Sequence, residues 1–206
     1  MFIDPISWSF EGPYFLIALC IGYLIGSVPY GLLLTRFAGK GDLRTIGSGN
    51  IGATNVLRTG SKFLAAVTLL ADLLKGTLAV YLGWYFGGET IALFAGFGAF
   101  LGHLFPIWLK FRGGKGVATY IGILLGLSWL AALVFALCWL IVAMAFRFSS
   151  LASIVSACLV PIYLYFSGEL YLLQLVVPMT VLTLLKHSGN ICRLLDGTES
   201  RIGQTG

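Results

Sequence analysis

Long apolar stretches separated by short polar segments run along most of this chain, and the pattern predicts a bundle of membrane-spanning helices. A helix needs about 20 consecutive, mainly apolar residues to cross a bilayer. The stretches expected to form single spans are Pro13–Phe37, Phe63–Phe86, Thr90–Leu109, Leu151–Phe166 and Leu170–Lys186. The polar segments between and after them are Ala38–Lys62, Gly87–Glu89, Lys110–Gly116 and His187–Gly206. Pro29 is expected to kink the first span, because proline cannot donate the hydrogen bond that a helix interior needs.

The segment Val117–Phe146 is long enough for either one tilted helix or two short crossings that turn near Gly126–Ser128. Charge favours two crossings, because cytoplasmic loops carry an excess of Lys and Arg. With two crossings, every Lys and Arg lies at or near one face of the membrane. The opposite face then carries Asp4, Glu11, Glu89 and Glu169. A single crossing would instead place Lys186, Arg193 and Arg201 outside. The sequence therefore predicts an all-α polytopic membrane protein of about seven transmembrane helices, with the N-terminus outside and the C-terminus cytoplasmic.

Composition agrees with an integral membrane protein of one domain, residues 1–206. Apolar residues make up 58% of the chain and charged residues 10%, and the mean hydropathy is +0.95. Soluble domains carry about 25% charged residues, so a soluble enzyme is excluded. The chain has two histidines, and its cysteines lack metal or redox spacing. These cysteines are Cys20, Cys138, Cys158 and Cys192. No metal, cofactor or nucleic-acid partner is expected.

The polar insert Gly47–Arg58 is the first candidate for ligand binding. Its glycines and small residues allow backbone N–H groups to approach a ligand closely, and Arg44 and Arg58 flank it with positive charge. Such a segment suits an anion. The spacing of its first three glycines also matches a dinucleotide-binding motif. That motif requires a preceding strand, however, and here helix-length apolar segments lie on both sides.

The second polar loop, Lys110–Gly116, places Lys115 among Gly113, Gly114 and Gly116. Glycine costs backbone entropy, so three glycines around one lysine indicate a phosphate loop more than a membrane anchor. The segment lacks the G-x-x-x-x-G-K-[ST] pattern, so nucleotide hydrolysis is not expected.

On the predicted topology, four polar segments meet at the cytoplasmic face. They are Gly47–Arg58, Lys110–Thr119, Arg147–Ser150 and His187–Glu199. Their cations lie among glycines and small hydroxyl residues, which favours the binding of anions. A single Lys or Arg in such a loop can equally serve only as an anchor at the membrane surface. The prediction of an anion site therefore depends on the four segments together.

Ionisable residues within or at the ends of spans are further candidates. Asp72 and Lys75 can pair on one face of a helix, because they are three residues apart, and so orient the second span toward the site. His103 is either a packed, hydrogen-bonded histidine or a group that orients a substrate. His187 is either a polar cap at a helix end or a base that takes a proton from an attacking hydroxyl.

Five motifs, in this order, closely resemble those of the bacterial acyl-phosphate:glycerol-3-phosphate acyltransferase family. They are GSVPYG (Gly26–Gly31), GSGNIGATN (Gly47–Asn55), GHLFP (Gly102–Pro106), GGKGVAT (Gly113–Thr119) and HSGNICRL (His187–Leu194). The resemblance covers nearly the whole chain. It implies a seven-helix enzyme of the bacterial inner membrane with its site facing the cytoplasm. The implied reaction transfers a fatty acyl group from acyl phosphate to glycerol 3-phosphate. The products are 1-acyl-glycerol 3-phosphate (lysophosphatidic acid) and inorganic phosphate, in the first acylation of phospholipid synthesis.

The resemblance also implies roles for residues at matching positions. The residues expected to carry activity are Ser48, Arg58, Lys115, His187 and Asn190. Taken with the loop chemistry above, the residues expected to bind substrate are Gly47, Gly49, Asn50, Thr54, Asn55, His103, Gly113, Gly114, Gly116, Thr119, Ser150 and Arg193. Glu199 is expected to be structural, as is the Asp72–Lys75 pair. The family commonly has Asn at the position of Cys192, so a polar role there is not expected.

An acyl phosphate has a good leaving group, so no protein nucleophile is required, and catalysis can come from positioning and charge stabilisation. The proton passes either to His187 or to the substrate's own phosphate, and the resemblance favours the phosphate. The expected partners are the two substrates, membrane lipid and a soluble enzyme that supplies acyl phosphate, with the protein itself a monomer. An anion or phosphate transporter is the alternative function, and a non-catalytic scaffold is a third. Transport is disfavoured because transporter sites usually lie near the membrane midplane.

Overall fold

The structure is a computed structural model that describes residues 8–203, and it is an all-helical bundle. The α-helices in this part of the chain are α1 (Trp8–Gly26), α2 (Tyr30–Phe37), α3 (Ala53–Val56), α4 (Lys62–Leu104), α5 (Val117–Leu127), α6 (Trp129–Phe146), α7 (Ser149–Ser167), α8 (Leu173–Lys186) and α9 (Ser188–Leu195). Single 3-10 turns lie at Leu43–Thr45, Leu57–Thr59, Ile107–Leu109 and Leu170–Leu172. Asp4, which was predicted to lie at the outer face, is outside the described residues.

The first predicted span consists of two helices. α1 ends at Gly26 and α2 begins at Tyr30, with Pro29 before it at φ −89° and ψ 73°. Pro29 has no backbone N–H and its ring restricts Val28, so a regular helix cannot continue through this point. The predicted kink is therefore confirmed, and the carbonyl group of Val28 lies in the break between the two helices.

α4 is folded at Gly88 into a first arm (62–87) and a second arm (89–104). The backbone angles of Gly88, φ 75° and ψ −162°, are ones that glycine adopts readily and other residues do not. Contacts between the arms join Gly83 to Ala92 and Val80 to Gly96. Residues near the turn thus contact each other, so the arms are antiparallel, and the predicted turn between the second and third spans is confirmed.

The end of the third span was predicted too late in the chain. The second arm of α4 ends at Leu104 instead of Leu109, and Phe105 has φ −136° and ψ 54°. Pro106 explains the early end, because the residue before a proline is disfavoured in helical conformation. The hydroxyl of Tyr23 donates to the carbonyl oxygen of Phe105 at 2.7 Å, which ties the end of this arm to α1.

The segment Val117–Phe146 contains two helices that meet at Ser128. This residue is extended, with φ −148° and ψ 99°, and its hydroxyl oxygen accepts from the backbone N–H of Ala131 at 3.4 Å. The break predicted near Gly126–Ser128 is therefore confirmed. The two parts are unequal: α5 has 11 residues and α6 has 18. At 1.5 Å per residue, α5 is only about 16 Å long.

Glycines allow α1 to pack closely against the second arm of α4. Gly22 and Gly26 are four residues apart in α1, as are Gly98 and Gly102 in the second arm. A side chain at any of these four positions would collide with a backbone carbonyl group of the facing helix. Small residues at this spacing let membrane helices approach closely. The α1–α2 break is thereby held beside α4.

The largest buried cluster lies where the second arm of α4 and helices α5 to α8 meet. Tyr120 packs at its centre, with its ring centroid 5.9 Å from that of Phe100 and 5.2 Å from that of Phe135. Thr180 Oγ1 donates to the carbonyl of Ala157 at 3.0 Å and lies 2.9 Å from the Tyr120 hydroxyl, which therefore donates to it. These contacts fix α5, and with it the glycine-rich loop that precedes α5.

Length and composition identify four segments among the described residues that can cross a membrane, or five if the bent pair Leu170–Lys186 and Ser188–Leu195 is included. Lys62–Leu109 is counted once, although it contains both arms of the hairpin. Large apolar side chains cover the outside of the bundle; Leu70, Ile141 and Phe166 are 56%, 61% and 81% exposed. An exterior of this kind is stable in lipid. The chain is a multi-pass membrane protein.

Candidate active site

Segments from four parts of the chain meet at one end of the bundle. The loop before α4 reaches α7 through Thr54 Oγ1 and Ser149 Oγ, which lie 3.3 Å apart. The loop before α5 reaches α9 through Lys115 Nζ, which donates to Asn190 Oδ1 at 2.5 Å. The chain after α9 in turn contacts the start of α7. Most of the predicted site residues lie in or beside these contacts.

Asn55 organises the loop between α2 and α4. Its side-chain nitrogen donates to three backbone carbonyl groups, at 3.0, 2.9 and 2.7 Å, those of Leu43, Ile46 and Asn50. Its oxygen accepts from the backbone N–H of Ser48 at 3.2 Å. Both ends of this buried amide are therefore engaged by the loop itself. Asn55 was predicted to line the site, but in the structure it shapes the loop that carries Ser48.

The remaining residues of this loop are held by local turns. Gly49 has φ 69°, a conformation that favours glycine. Asn50 Oδ1 accepts from the backbone N–H of Gly52 at 3.2 Å, just before α3 begins. Ser48 is exposed at the surface of the loop.

Arg58 lies across Gly47. Gly47 has φ 54°, and a methyl group added to it would lie 2.6 Å from Cδ and Nη1 of Arg58 and 2.7 Å from Asn55 Oδ1. Glycine at this position therefore allows the guanidinium group to rest against the loop. Arg58 Nη2 donates to Ser200 Oγ at 2.5 Å. The group expected to bind phosphate therefore contacts the segment that follows α9.

Arg44 forms an ion pair beside the first loop. Asp42 accepts from Arg44 Nη2 at 2.6 Å and from Arg36 Nη2 at 3.0 Å. Hydrogen bonds from Arg44, above all, hold the pKa of Asp42 well below its usual range. Arg44, which was expected to flank the first loop with positive charge, therefore does so as the partner of Asp42.

The glycines of the second loop serve close packing. The N–H groups of Gly113 and Gly114 donate to the carbonyl groups of Leu104 and His103 at 3.1 and 3.0 Å, so they close the end of α4. A side chain at Gly114 would collide with the ring of His103. Gly116 turns the chain into α5 with φ 84°. The backbone amides of Gly113 and Gly114 are thus bonded to the end of α4, and the binding of substrate by these two residues stays a prediction.

Lys115 is the half-buried cation of the second loop. Burial is the main cause that lowers its pKa, to about 8; Glu199 opposes this effect, while Arg193 and Arg58 add to it. Neighbouring positive charges lower a lysine pKa because they disfavour another cation nearby. Lys115 thus lies among two other cations and one carboxylate, and an anion bound beside it would favour its charged form.

Glu199 connects three other predicted site residues. Its Oε1 accepts from Ser150 Oγ at 2.7 Å and from Asn190 Nδ2 at 2.6 Å, and its Oε2 accepts from Arg193 Nε at 2.7 Å. Burial raises the pKa of Glu199, but the hydrogen bonds from these three side chains outweigh it and leave the pKa lowered. The ionised carboxylate holds Asn190 against Lys115.

His187 lies between α8 and α9 and is 2% exposed. Its Nδ1 lies 2.8 Å from the carbonyl oxygen of Thr183, so Nδ1 carries the proton and Nε2 can accept one. Burial, with Lys115 nearby, lowers the pKa of His187 to about 4 despite the opposing effects of Thr183 and Glu199. The imidazole is therefore neutral near pH 7.

Other predicted residues lie beneath the site. Thr119 is fully buried and donates to the backbone carbonyl of Asp72 at 3.0 Å. His103 is 5% exposed, and its Nδ1 lies 3.6 Å from Asp72 Oδ1. Lys75 Nζ lies 2.7 Å from the same oxygen, so the predicted Asp72–Lys75 pair is present. Both Thr119 and His103 are buried in the bundle, and their contact with a substrate stays a prediction.

Sequence patterns did not indicate the contacts made by the segment 197–203. Besides Ser200, this segment contributes Ile202, whose N–H donates to the carbonyl of Arg147 at 2.6 Å while Arg147 Nη2 donates back at 3.1 Å. The segment therefore lies across the first loop and the start of α7. In the part of the chain that the structure describes, no three His, Cys, Asp or Glu side chains are grouped to hold a metal ion.

Nearly the full length of the chain is similar to known acyltransferases. The family described as Glycerol-3-phosphate acyltransferase matches residues 16–197. A glycerol-3-phosphate acyltransferase of Mesorhizobium japonicum is 60% identical over 191 residues, which are 93% of this chain and 97% of that protein. One from Brucella ovis is 58% identical over 189 residues, covering 92% of this chain and 94% of that protein.

Solved structures of PlsY, an integral membrane glycerol 3-phosphate acyltransferase, are also similar. The glycerol 3-phosphate form has a TM-score of 0.87 and 35% identity, covering 92% of this chain and 96% of that chain. The lysophosphatidic acid form has a TM-score of 0.85 and 34% identity, covering 92% and 95%.

Proposed function

This chain belongs to the glycerol-3-phosphate acyltransferase family and is an enzyme that acylates glycerol 3-phosphate, and we propose that its acyl donor is an acyl phosphate. The products are then 1-acyl-glycerol 3-phosphate and inorganic phosphate, in the first acylation of phospholipid synthesis. The observation that carries this proposal is the cluster of Arg58, Lys115 and Arg193 at one end of the bundle. Because each of the two reactants bears a phosphate group, binding both of them requires more than one cation.

The proposed reaction needs no covalent acyl-enzyme. The acceptor hydroxyl oxygen attacks the carbonyl carbon of the acyl phosphate, the new ester bond forms, and the bond from that carbon to the phosphate oxygen breaks. Lys115 and Arg58 neutralise phosphate charge, and Ser48 donates a hydrogen bond to phosphate. Asn190, fixed between Lys115 and Glu199, orients the acceptor. The rate enhancement then comes from holding two anions in reacting geometry and stabilising the developing charge.

The proton of the attacking hydroxyl passes to phosphate in this proposal. A histidine with a pKa of about 4 is a weak base near pH 7. A phosphate monoester, whose second pKa is about 6, is the stronger base of the two. His187 then has a positioning task, with Nδ1 fixed on Thr183.

We expect His187→Gln to lower kcat, by about tenfold or more, without changing the shape of the pH–rate profile. Both enzymes should lose activity as the pH falls through about 6, because the substrate phosphate gains a proton there. The measurement is kcat/KM between pH 4.5 and 8 for the wild type and the variant. A limb that is present in the wild type and missing in the variant would identify His187 as the base.

The proposal places seven crossings in the bundle: the α1–α2 unit, both arms of α4, and α5, α6, α7 and α8. The site then lies at the cytoplasmic face of the bacterial inner membrane, with Glu11, Glu89 and Glu169 at the other end. Because α5 has only 11 residues, it crosses the membrane only if the bilayer thins locally or polar groups enter the bilayer. The enzyme acts as a monomer and takes acyl phosphate made by a soluble enzyme.

Cysteine labelling in intact cells tests this orientation. In a background without the native cysteines, we expect Glu89→Cys to react with a membrane-impermeant maleimide added outside. Lys40→Cys, at the opposite end and exposed, should react only after the membrane is permeabilised. Labelling of both positions from outside, or of Lys40→Cys alone, would contradict the proposed topology.

Reconstituted protein tests the reaction itself. Supplied with acyl phosphate and glycerol 3-phosphate, the wild type should release inorganic phosphate only when the acceptor is present, with one lysophosphatidic acid formed per phosphate. Acyl transfer from an acyl thioester with no reaction from acyl phosphate would reject the donor assignment. The transporter alternative is not favoured, because the family consists of acyltransferases and the Asp72–Lys75 charges pair with each other.

A further inference from the structure

Below the two glycine-rich loops lies a buried set of ionisable side chains that the proposed reaction does not use. It consists of Asp72, Lys75 and His103, whose side chains are 4%, 2% and 4% exposed. Lys75 Nζ and His103 Nδ1 both face Asp72 Oδ1, at 2.7 and 3.6 Å. Ionisable residues at this depth of a membrane protein are costly and usually have a task.

One end of this set holds the break between α1 and α2. Lys75 Nζ donates to the carbonyl oxygen of Val28 at 3.0 Å, and lies 5.7 Å from the ring centroid of Tyr30. Val28 lies in the break between the two helices, where its carbonyl also accepts from the backbone N–H of Tyr30 at 3.1 Å. Lys75 therefore fixes the point where α2 begins.

The start of α2 in turn contacts the first loop. Gly31 packs so closely on the carbonyl group of Ile51 that a side chain there would collide with it. Ile51 is buried within the Gly47–Arg58 loop. A displacement of the α1–α2 break would thus be passed directly to the loop that carries Ser48 and Arg58.

The other end of the set contacts the second loop. The ring of His103 fills the space that a side chain at Gly114 would need, and the His103 carbonyl accepts from the Gly114 N–H at 3.0 Å. Gly114 directly precedes Lys115. Asp72 also accepts through its backbone carbonyl from Thr119, in the first turn of α5, at 3.0 Å.

We infer that Lys75 is a positioning residue for acyl transfer, which acts through Asp72 and His103 to fix the first loop and the second loop relative to each other. The inference rests on the proposed function, in which each loop supplies a cation to the same reaction. Buried ion pairs contribute little net stability compared with apolar side chains of similar size, so stability alone does not account for this set. The position of the Asp72, Lys75 and His103 set between the two cationic loops does account for its presence.

Three variants separate positioning from stability. Lys75→Met leaves a buried carboxylate without its cation, so we expect it to be less stable and about 100-fold lower in kcat. Asp72→Asn/Lys75→Met removes both charges, so its thermal unfolding should return close to that of the wild type. Its kcat should remain about 100-fold below that of the wild type, because the hydrogen bond from Lys75 to the Val28 carbonyl is still missing. Lys75→Arg keeps a charged donor and should recover a large part of kcat.

The readouts are the unfolding temperature in detergent and the separate KM values and kcat for both substrates. The double variant folding normally with kcat within threefold of the wild type would overturn the inference, because the pair would then only compensate its own charges. If Lys75→Met does not fold, the double variant and Lys75→Arg decide the question alone. Wild-type enzyme assayed in parallel separates the donor hypothesis from the positioning role of Lys75. If the wild type is inactive with acyl phosphate, the donor hypothesis is rejected. The variants are then compared with the wild type on the acyl donor that the wild type does use.

A second cycle tests the other end of the set. We expect Gly114→Ala to lower kcat/KM by about 100-fold, because the methyl group meets the His103 ring. His103→Ser makes room for it, so the double variant should be at least tenfold more active than Gly114→Ala alone. Strictly additive losses would show that His103 does not set the position of this loop.

Discussion

Replacement of Lys115 by methionine is expected to lower kcat/KM for acyl transfer by about 1,000-fold. Methionine has a similar length but no charge. The substrate phosphate therefore loses the cation that Lys115 supplies beside Asn190 and Glu199. The Lys115 amine donates to Asn190 Oδ1, and its pKa is lowered to about 8, first by burial. Steady-state kinetics with both substrates varied measures the loss.

Two further variants make the Lys115 result specific. Lys110→Met removes an exposed cation from the same loop and should leave kcat/KM within about threefold of the wild type, because surface charges contribute little. Equal losses at the two positions would show that the loop needs only general positive charge.

Lys115→Arg tests the pH dependence. As the pH rises through about 8, the free wild-type enzyme loses the Lys115 proton, so KM for the phosphate-bearing substrates should increase above that pH. Arginine stays protonated throughout this range, so KM of the variant should not increase in that way. A KM rise of equal size in both enzymes would assign the effect to another group.

Gly47→Ala is expected to lower kcat/KM by about 100-fold. The new methyl group would lie 2.6 Å from Arg58 Cδ and Nη1 and 2.7 Å from Asn55 Oδ1, so the guanidinium must move away from the loop. The residue also has φ 54°, which costs an alanine about 1–2 kcal/mol. The loss should appear mainly in KM for a phosphate-bearing substrate, because Arg58 is displaced.

Gly60→Ala is the matched control for Gly47→Ala. Gly60 has φ 84°, and a methyl group added there has no atom within 4 Å. It therefore carries a similar backbone cost without a collision, and should lower the unfolding temperature but not kcat/KM. If the two alanine variants lose activity equally, backbone strain and not the position of Arg58 explains the effect.

Periodicity and turn residues were sufficient to predict the helical framework. The break at Ser128 followed from the charge pattern, and the turn at Gly88 from the short glycine pair followed by Glu89. The helix end at Leu104 was missed, although Pro106 indicated it, because the apolar run continues to Leu109. α9 was missed because it has only eight residues and lies in a mainly polar tail, although its few apolar residues recur with helical spacing.

Site chemistry could be predicted only where a residue's role depends on its own type. Lys115 is a cation in any conformation, and it lies at the site. The roles of Gly113, Gly114 and Asn55 depend on which neighbours fold against them, and no local pattern specifies those neighbours. A glycine that exposes its amide and a glycine that makes room for a histidine ring look alike in sequence.

Because the segment 197–203 contacts the site, its synthesis determines when during translation the chain can become active. Lys115 leaves the ribosome long before Glu199, and synthesis at about 5–20 residues per second separates them by several seconds. Until Glu199 arrives, Ser150, Asn190 and Arg193 lack the carboxylate that joins them. A nascent chain, even one already inserted in the bilayer, is therefore expected to make no lysophosphatidic acid until Glu199 has been synthesised and has joined these side chains.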